Sequence, residues 1–257
     1  MGALHEGHRA LIQACRKKSD VAVVSIFVNP AQFGPNEDYE RYPSALEKDL
    51  ELCRAERIDL VFAPSSEEMY PKGFATKVRV EGLSEKLCGV FRPGHFEGVT
   101  TVVLKLFEVV LPDIAFFGEK DFQQLVILQR MAKDLNLPVV LEAVETVREE
   151  GGLALSSRNA YLTREERRLA TGIFLALQAG RAYFERGKKD PQELVGHVRK
   201  ALLESGIEKL DYVTLVEPEA LDPPTQAYPG CRMMVAARVG EARLIDNVRL
   251  GNNEEQT

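Results

Sequence analysis

The sequence predicts an α/β fold, a doubly wound parallel sheet followed by a smaller α+β domain. Three observations carry this. Short apolar runs are continuous rather than alternating, as in strands buried on both faces. They alternate with amphipathic segments of helical period, the pattern of parallel strands joined by helical crossovers. Near Thr146 the order changes to two long helices and then a group of strands.

In chain order, a helix opens at once, where His8, Leu11, Ile12 and Cys15 follow the i, i+3, i+4, i+7 pattern. Residues 21–28 (VAVVSIFV) form a buried strand that ends at Asn29-Pro30. Residues 43–57 read as a helix with Leu46, Leu50 and Cys53 on one stripe, followed by a strand at 60–63. Helix 96–110, strand 114–117, helix 121–135 with Leu125, Leu128, Met131 and Ala132 inward, and strand 139–144 complete a first domain over 1–147. In the second, 148–257, helices at 163–186 and 191–205 precede strands at 211–216, 233–239 and 242–248. Thr163-Arg164-Glu165-Glu166 is a capping box for the first of these helices, and Gly240-Glu241 is a tight connection between the last two strands. One expected part has no counterpart: a nucleotide-binding fold of this kind sets a strand before its phosphate-binding helix, and here the helix opens the chain.

The chain has 257 residues, 45% hydrophobic and 28% charged, with a formal net charge of -6. That is an ordinary globular composition without the basic surface that nucleic-acid binding needs. No apolar stretch approaches the roughly 20 residues of a membrane helix. The first residues carry histidines and charge rather than the apolar core of a secretory leader. Cys15, Cys53, Cys88 and Cys231 make no C-x-x-C pair and read as reduced thiols of a cytoplasmic protein.

The chemistry-bearing residues fall in five segments. His5 and His8 in His5-Glu6-Gly7-His8 lie one helical turn apart, so both imidazoles share a face at a helix N-terminus, where backbone N–H groups favour phosphate. Asn29 and Gln32 follow a buried strand, where open α/β sheets bind ligands; an ordinary Asn-Pro turn is the bland alternative. Arg92-Pro93-Gly94-His95-Phe96 puts a guanidinium and an imidazole at a helix start, as cleft groups or as helix-start chemistry. Phe117-Gly118-Glu119-Lys120-Asp121-Phe122-Gln123-Gln124 turns from strand to helix with Gly118 as a phosphate cradle and Lys120 as a mobile cation; Asp121 could be a cap alone. Ser156-Ser157-Arg158-Asn159 offers two hydroxyls and an always-charged fork, suited to a triphosphate. These are the parts of nucleotidyl transfer, in which attack on an α-phosphate builds charge that donors must stabilise.

In order and spacing, Met1-Gly2-Ala3-Leu4-His5-Glu6-Gly7-His8, Phe27-Val28-Asn29-Pro30-x-Gln32-Phe33 and the three later segments resemble the pantothenate synthetase (pantoate–β-alanine ligase) family over nearly the whole chain. The resemblance implies a Rossmann-like member of the His-x-Gly-His nucleotidyltransferase superfamily that uses ATP with Mg²⁺. Pantoate would give a pantoyl adenylate and pyrophosphate, and β-alanine would then release pantothenate and AMP. It implies that His5 and His8 contact the ATP phosphates, with His8 as proton donor. Met1, Gly2, Ala3, Leu4, Glu6, Gly7, Gly118, Glu119, Lys120, Asp121, Val147, Leu155, Ser156, Ser157 and Arg158 would complete the ATP site. Gln32 and Gln124 would hold pantoate, with Asn29, Arg92 and His95 beside them, and family members are homodimers through the larger domain. Lys120 and Arg158 are the groups best suited to stabilise the transition state. Asp49 is the best positional match for a Mg²⁺ contact, a solvated helix face being its other reading.

Two departures from the family stand out. The family carries a strand, a helix and a Pro-Thr before the position of Met1, so this chain is expected to lack the first strand. Tyr42-Pro43-Ser44 replaces the family's Tyr-Pro-Arg and removes a positive charge. Two rival readings stay open: a different His-x-Gly-His nucleotidyltransferase such as a phosphopantetheine adenylyltransferase, which would lack the domain from 148 onward, and a non-catalytic remnant that binds nucleotide or a partner.

Overall fold

The computed structural model describes residues 2–35, 37–43 and 45–251, which divide into two compact units, 1–147 and 148–257. In the first, α1 (Glu6–Lys18) turns Ile12 into a small core with Val24, Ile26 and Cys53. β1 (Val23–Ser25) pairs in parallel with β2 (Leu60–Phe62), with Val24 opposite Val61, and α2 (Leu46–Ala55) makes the crossover. Two one-turn helices, α3 (Ser66–Met69) and α4 (Cys88–Phe91), lead to α5 (His95–Val110). β3 (Ile114–Gly118) and β4 (Val140–Val144) form a second parallel pair, joined through α6 (Phe122–Asp134), which buries Leu125, Leu128, Met131 and Ala132. α1 packs against β3 and β4, which brings its N-terminus beside the turn that follows β3.

Three expectations change. Among the described residues the parallel strands form two separate pairs, not one continuous sheet. The apolar run 21–28 is strand only over Val23–Ser25; one more ladder bond, Ile26 N–H to the Phe62 carbonyl at 2.9 Å, follows before the chain turns away toward Asn29. Leu46 is 44% exposed instead of inward, and Asp49, at 2%, shares the buried face of α2 with Cys53.

The second unit stacks α7 (Arg164–Glu185) and α8 (Pro191–Glu204) on an antiparallel meander of β5 (Lys209–Val216), β6 (Arg232–Val239) and β7 (Ala242–Arg249). Leu177, Leu194, Val198, Met233 and Val235 fill its core. The helices meet closely at Gly180, where a Cβ would lie 2.4 Å from Val198 Cγ2. Arg148 donates to both Asp246 carboxylate oxygens at 2.6 and 3.0 Å and lies 3.9 Å from the Phe174 ring centre, which fixes the first residues of this unit to β7 and α7.

Candidate active site

The two N-terminal histidines cap the helix that carries them. His5 is the N-cap of α1, and its Nδ1 accepts the Gly7 N–H at 3.1 Å. In return His8 Nδ1 accepts the His5 N–H at 3.2 Å, a capping box built from imidazoles. An imidazole nitrogen that accepts an N–H is unprotonated, so each neutral ring carries its proton on Nε2. Burial, and then the charge of Lys120, lowers the His5 pKa; burial, and then His5 itself, lowers that of His8 to about 3. At neutral pH the pair therefore presents two uncharged Nε2–H donors, with ring centres 4.0 Å apart.

The chain reaches His5 through a strained turn. Ala3 has φ +49, a left-handed conformation that costs a non-glycine residue about 1–2 kcal/mol. Asp49 holds it there: its carboxylate accepts the Ala3 N–H at 2.9 Å and the Leu4 N–H at 2.7 Å. The reading of Asp49 as a solvated side chain is thereby corrected, because it is 2% exposed and both oxygens are engaged by backbone. The same bonds occupy the amides of Ala3 and Leu4, and the Gly7 amide is taken by His5, so the free backbone donors expected beside the histidines are fewer than the sequence suggests. Met1 and Ser44 lie outside the described residues.

The turn after β3 supplies the positive charge. Gly118 ends the strand, Glu119–Asp121 form one 3₁₀ turn, and α6 begins at Phe122. Gly118 has ordinary extended angles (φ -75, ψ 134), yet a Cβ there would meet nothing within 4 Å, so the backbone borders open space. The Lys120 ammonium lies 3.7 Å from an Asp121 oxygen and close enough to the histidines to depress both of their pKa values. Two residues on, Gln123 and Gln124 part company. Gln123 is buried, donates to the Leu83 and Lys86 carbonyls at 3.0 and 2.8 Å and accepts the Cys88 N–H at 3.0 Å; Gln124 is half-buried in the first turn of α6.

A third cluster surrounds the turn at 29–32. Asn29, 2% exposed, caps the 3₁₀ turn Pro30–Gln32, and its Nδ2 donates to the Gly98 carbonyl at 3.1 Å and to Gln32 Oε1 at 3.3 Å. Gly98 lets α5 press onto this turn, since a Cβ would stand 2.2 Å from the Ala31 oxygen. Arg92 grips Glu37 through two bonds of 2.7 and 2.6 Å, donates to His95 Nε2 at 2.9 Å and reaches the Gln32 carbonyl at 3.4 Å. His95 Nε2 thus accepts, and its Nδ1–H donates to the Gln32 carbonyl at 2.8 Å. Burial, and then Arg92, pushes the His95 pKa down to about 4; burial would raise that of Glu37, but the hydrogen bonds and charge of Arg92 outweigh it and hold it low. Of the residues expected beside pantoate, Arg92 and His95 bond each other, Glu37 and the Gln32 carbonyl, whereas the Asn29 side chain bonds Ala31, Gly98 and the Gln32 amide.

In the second unit, Ser156 Oγ accepts the Arg158 N–H at 3.3 Å and starts the 3₁₀ stretch Ser157–Tyr161. Asn159 is buried, donating to Glu149 Oε1 at 2.9 Å and to the Ala154 carbonyl at 3.1 Å, and Arg167 ties Glu149 to the Asn159 carbonyl. The segment is a braced loop, not a slack linker, with Val147 and Leu155 half-buried on either side of the bridge between Arg148 and Ala154.

The family profile described as Pantoate-beta-alanine ligase matches residues 1–249. The chain belongs to the pantoate–β-alanine ligase family. The pantothenate synthetase of Moorella thermoacetica is 49% identical over 254 residues, spanning 99% of this chain and 90% of the relative. The crystal structure of pantothenate synthetase from Thermus thermophilus superposes with a TM-score of 0.94 at 50% identity, covering 96% of this chain and 90% of that one. The pantoate-beta-alanine ligase of Francisella tularensis, complexed with beta-gamma ATP and beta-alanine, does so with a TM-score of 0.78 at 34% identity, covering 97% and 87%.

For a pantoate–β-alanine ligase, three residues of this architecture were not singled out in their present roles from sequence: Asp49 as a backbone anchor, Glu37 as the partner of Arg92, and Tyr70, whose hydroxyl donates to Asn29 Oδ1 at 2.7 Å. Each acts across 41 or more residues of chain, a separation at which local pattern carries no signal.

Proposed function

We propose that this chain condenses pantoate with β-alanine at the expense of ATP, through a pantoyl adenylate, releasing pyrophosphate and then AMP. The observation that carries the reading is the histidine pair with both Nδ1 atoms held by backbone, which leaves two Nε2–H donors beside Lys120 and the open space at Gly118. Attack by the pantoate carboxylate on the α-phosphorus builds negative charge on the phosphate oxygens and on the departing pyrophosphate. Uncharged donors fixed in place, with one nearby cation, stabilise that charge without reorganising. With its pKa near 3 in the free protein, His8 acts first as a hydrogen-bond donor rather than as a proton source.

Gln32 and Gln124 offer amides to pantoate and the incoming β-alanine, whose amine then attacks the acyl carbon and displaces AMP. Ser156, Ser157 and Arg158 are nucleotide contacts in the same reading, as are Glu6, Gly7, Glu119, Asp121, Val147 and Leu155. Among the described residues no three or more His, Cys, Asp or Glu side chains gather to hold a metal. Mg²⁺ is read as part of the MgATP substrate, neutralising its phosphates. The four cysteines are free, in keeping with a reducing cytoplasm, and the family resemblance carries a homodimer with it. The test is AMP release by the purified chain with Mg²⁺, ATP, pantoate and β-alanine, each omitted in turn. Release that needs both pantoate and β-alanine supports the ligase; release without β-alanine, or none from folded protein, refutes it.

A further inference from the structure

We propose that Tyr70 is a positioning residue of this site: acting through Asn29, it fixes the Gln32 amide so that its N–H groups, not its carbonyl, face the acid substrate. The inference rests on the ligase reading above. Asn29 uses its full bonding capacity inside the protein. Its Oδ1 accepts the Ala31 N–H at 3.2 Å and the Tyr70 hydroxyl at 2.7 Å, while Nδ2 donates to the Gly98 carbonyl at 3.1 Å and to Gln32 Oε1 at 3.3 Å. Turning this amide over would set its NH₂ against two donors and its oxygen against two acceptors, so one orientation is enforced. Because Asn29 donates to Gln32 Oε1, the two hydrogens on Gln32 Nε2 are left for a ligand, and Nε2 has no protein partner among the described residues. Two N–H donors match the oxygens of a hydroxy acid.

Of the two donors to Asn29 Oδ1, the Ala31 amide lies within the turn itself. Tyr70 comes from 41 residues away and makes the shorter bond, so of the two it is the one that holds the Asn29 oxygen from outside the turn. The tyrosine is itself held. It closes α3, where its N–H donates to the Ser66 carbonyl at 2.8 Å, and its ring lies 5.1 Å from Phe74, edge to face, and 6.3 Å from Phe27. Burial pushes its pKa up to about 12, so the hydroxyl remains a donor at any working pH.

The experiment compares Tyr70→Phe, Gln32→Ala and the double variant in steady-state AMP release, with a thermal melt of each. Tyr70→Phe is expected to lower kcat/KM for pantoate about 5- to 20-fold, the loss of roughly one hydrogen bond, with the KM for ATP unchanged. In the Gln32→Ala background the same substitution should change nothing further, because the residue it acts through is gone. Equal effects in both backgrounds, or an equal rise in the KM values of pantoate and ATP, would overturn the proposal. Side-chain amide exchange by ¹⁵N NMR gives a readout independent of turnover. The Asn29 amide protons should be protected in the parent and lose that protection in Tyr70→Phe; unchanged protection refutes the relay. A parent chain that releases no AMP defeats the ligase reading, and the exchange measurement then still decides whether Tyr70 orients Asn29.

Discussion

Replacing Asp49 by Asn removes one oxygen and adds an NH₂ group where the structure offers two N–H donors, at 2.7 and 2.9 Å. One charge-assisted bond is lost outright and the other becomes neutral, which together costs about 2–4 kcal/mol at a site this buried. Relaxing the left-handed Ala3 returns about 1 kcal/mol of that, so the net loss is about 1–3 kcal/mol. For a protein of this size, that lowers the thermal midpoint by about 2–12 °C. Asp49 also sets the turn leading into His5, so displacing the turn moves the histidine pair. A misplacement near 1 Å costs on the order of 100-fold in rate, and kcat/KM measured well below the midpoint should fall by about 10- to 100-fold. Adding Ala3→Gly, which removes the left-handed penalty, should lessen the damage. The reasoning fails if Asp49→Asn melts within 1 °C of the parent. It fails in a different way if the midpoint drops while the folded enzyme keeps full activity, because Asp49 would then brace the helix without placing the histidines.

Stability should decline on the acid side through His95. Its folded pKa is near 4 against an ordinary 6.5, so between those values the unfolded chain binds a proton that the folded chain refuses, and up to about 3 kcal/mol present above pH 6.5 is lost as pH falls toward 4. Urea unfolding across that range measures it, and His95→Asn, which keeps an N–H for the Gln32 carbonyl but does not titrate, should lessen the slope and leave the part that His8 and His5 contribute. Lys120→Met should lower kcat/KM by about 100- to 1000-fold and let the His5 pKa rise in an NMR titration, with the thermal midpoint little changed; an unmoved His5 would separate the two groups. Gly118→Ala should leave stability equal or about 0.5 kcal/mol higher, yet raise the KM for ATP, because the new methyl enters the space assigned to the nucleotide. An unchanged KM would place the phosphates elsewhere.

The fold was legible where one element's own pattern sufficed. Leu125, Leu128 and Met131 mark the inward face of α6 because helical period and burial coincide there. The α2 stripe misled because Asp49, a charged residue, takes a buried position that periodicity assigns to Leu46, and only its long-range bonds to Ala3 and Leu4 explain why. Apolarity overstated β1 for a related reason: a buried strand and the buried turn after it use the same residue types. In the site, residue types were readable and directions were not. Spacing alone predicts that His5 and His8 lie side by side, as their rings do at 4.0 Å, whereas nothing in Arg92-Pro93-Gly94-His95 reveals that the guanidinium turns to Glu37 and the imidazole to the backbone of Gln32.

The imidazole capping box makes the start of α1 and the chemistry of the site a single object. Alanine at His5 or His8 deletes a helix cap worth about 1 kcal/mol along with the Nε2–H, so a dead variant of that kind cannot say which loss killed it. Asparagine separates them: its oxygen can take over the work of Nδ1 while the far side of the ring, with its proton, is gone. The same coupling bears on how such a chain drifts. A lineage that no longer needed the reaction would still be held to these two histidines, or to side chains with an acceptor at the same place, by the need to begin a helix.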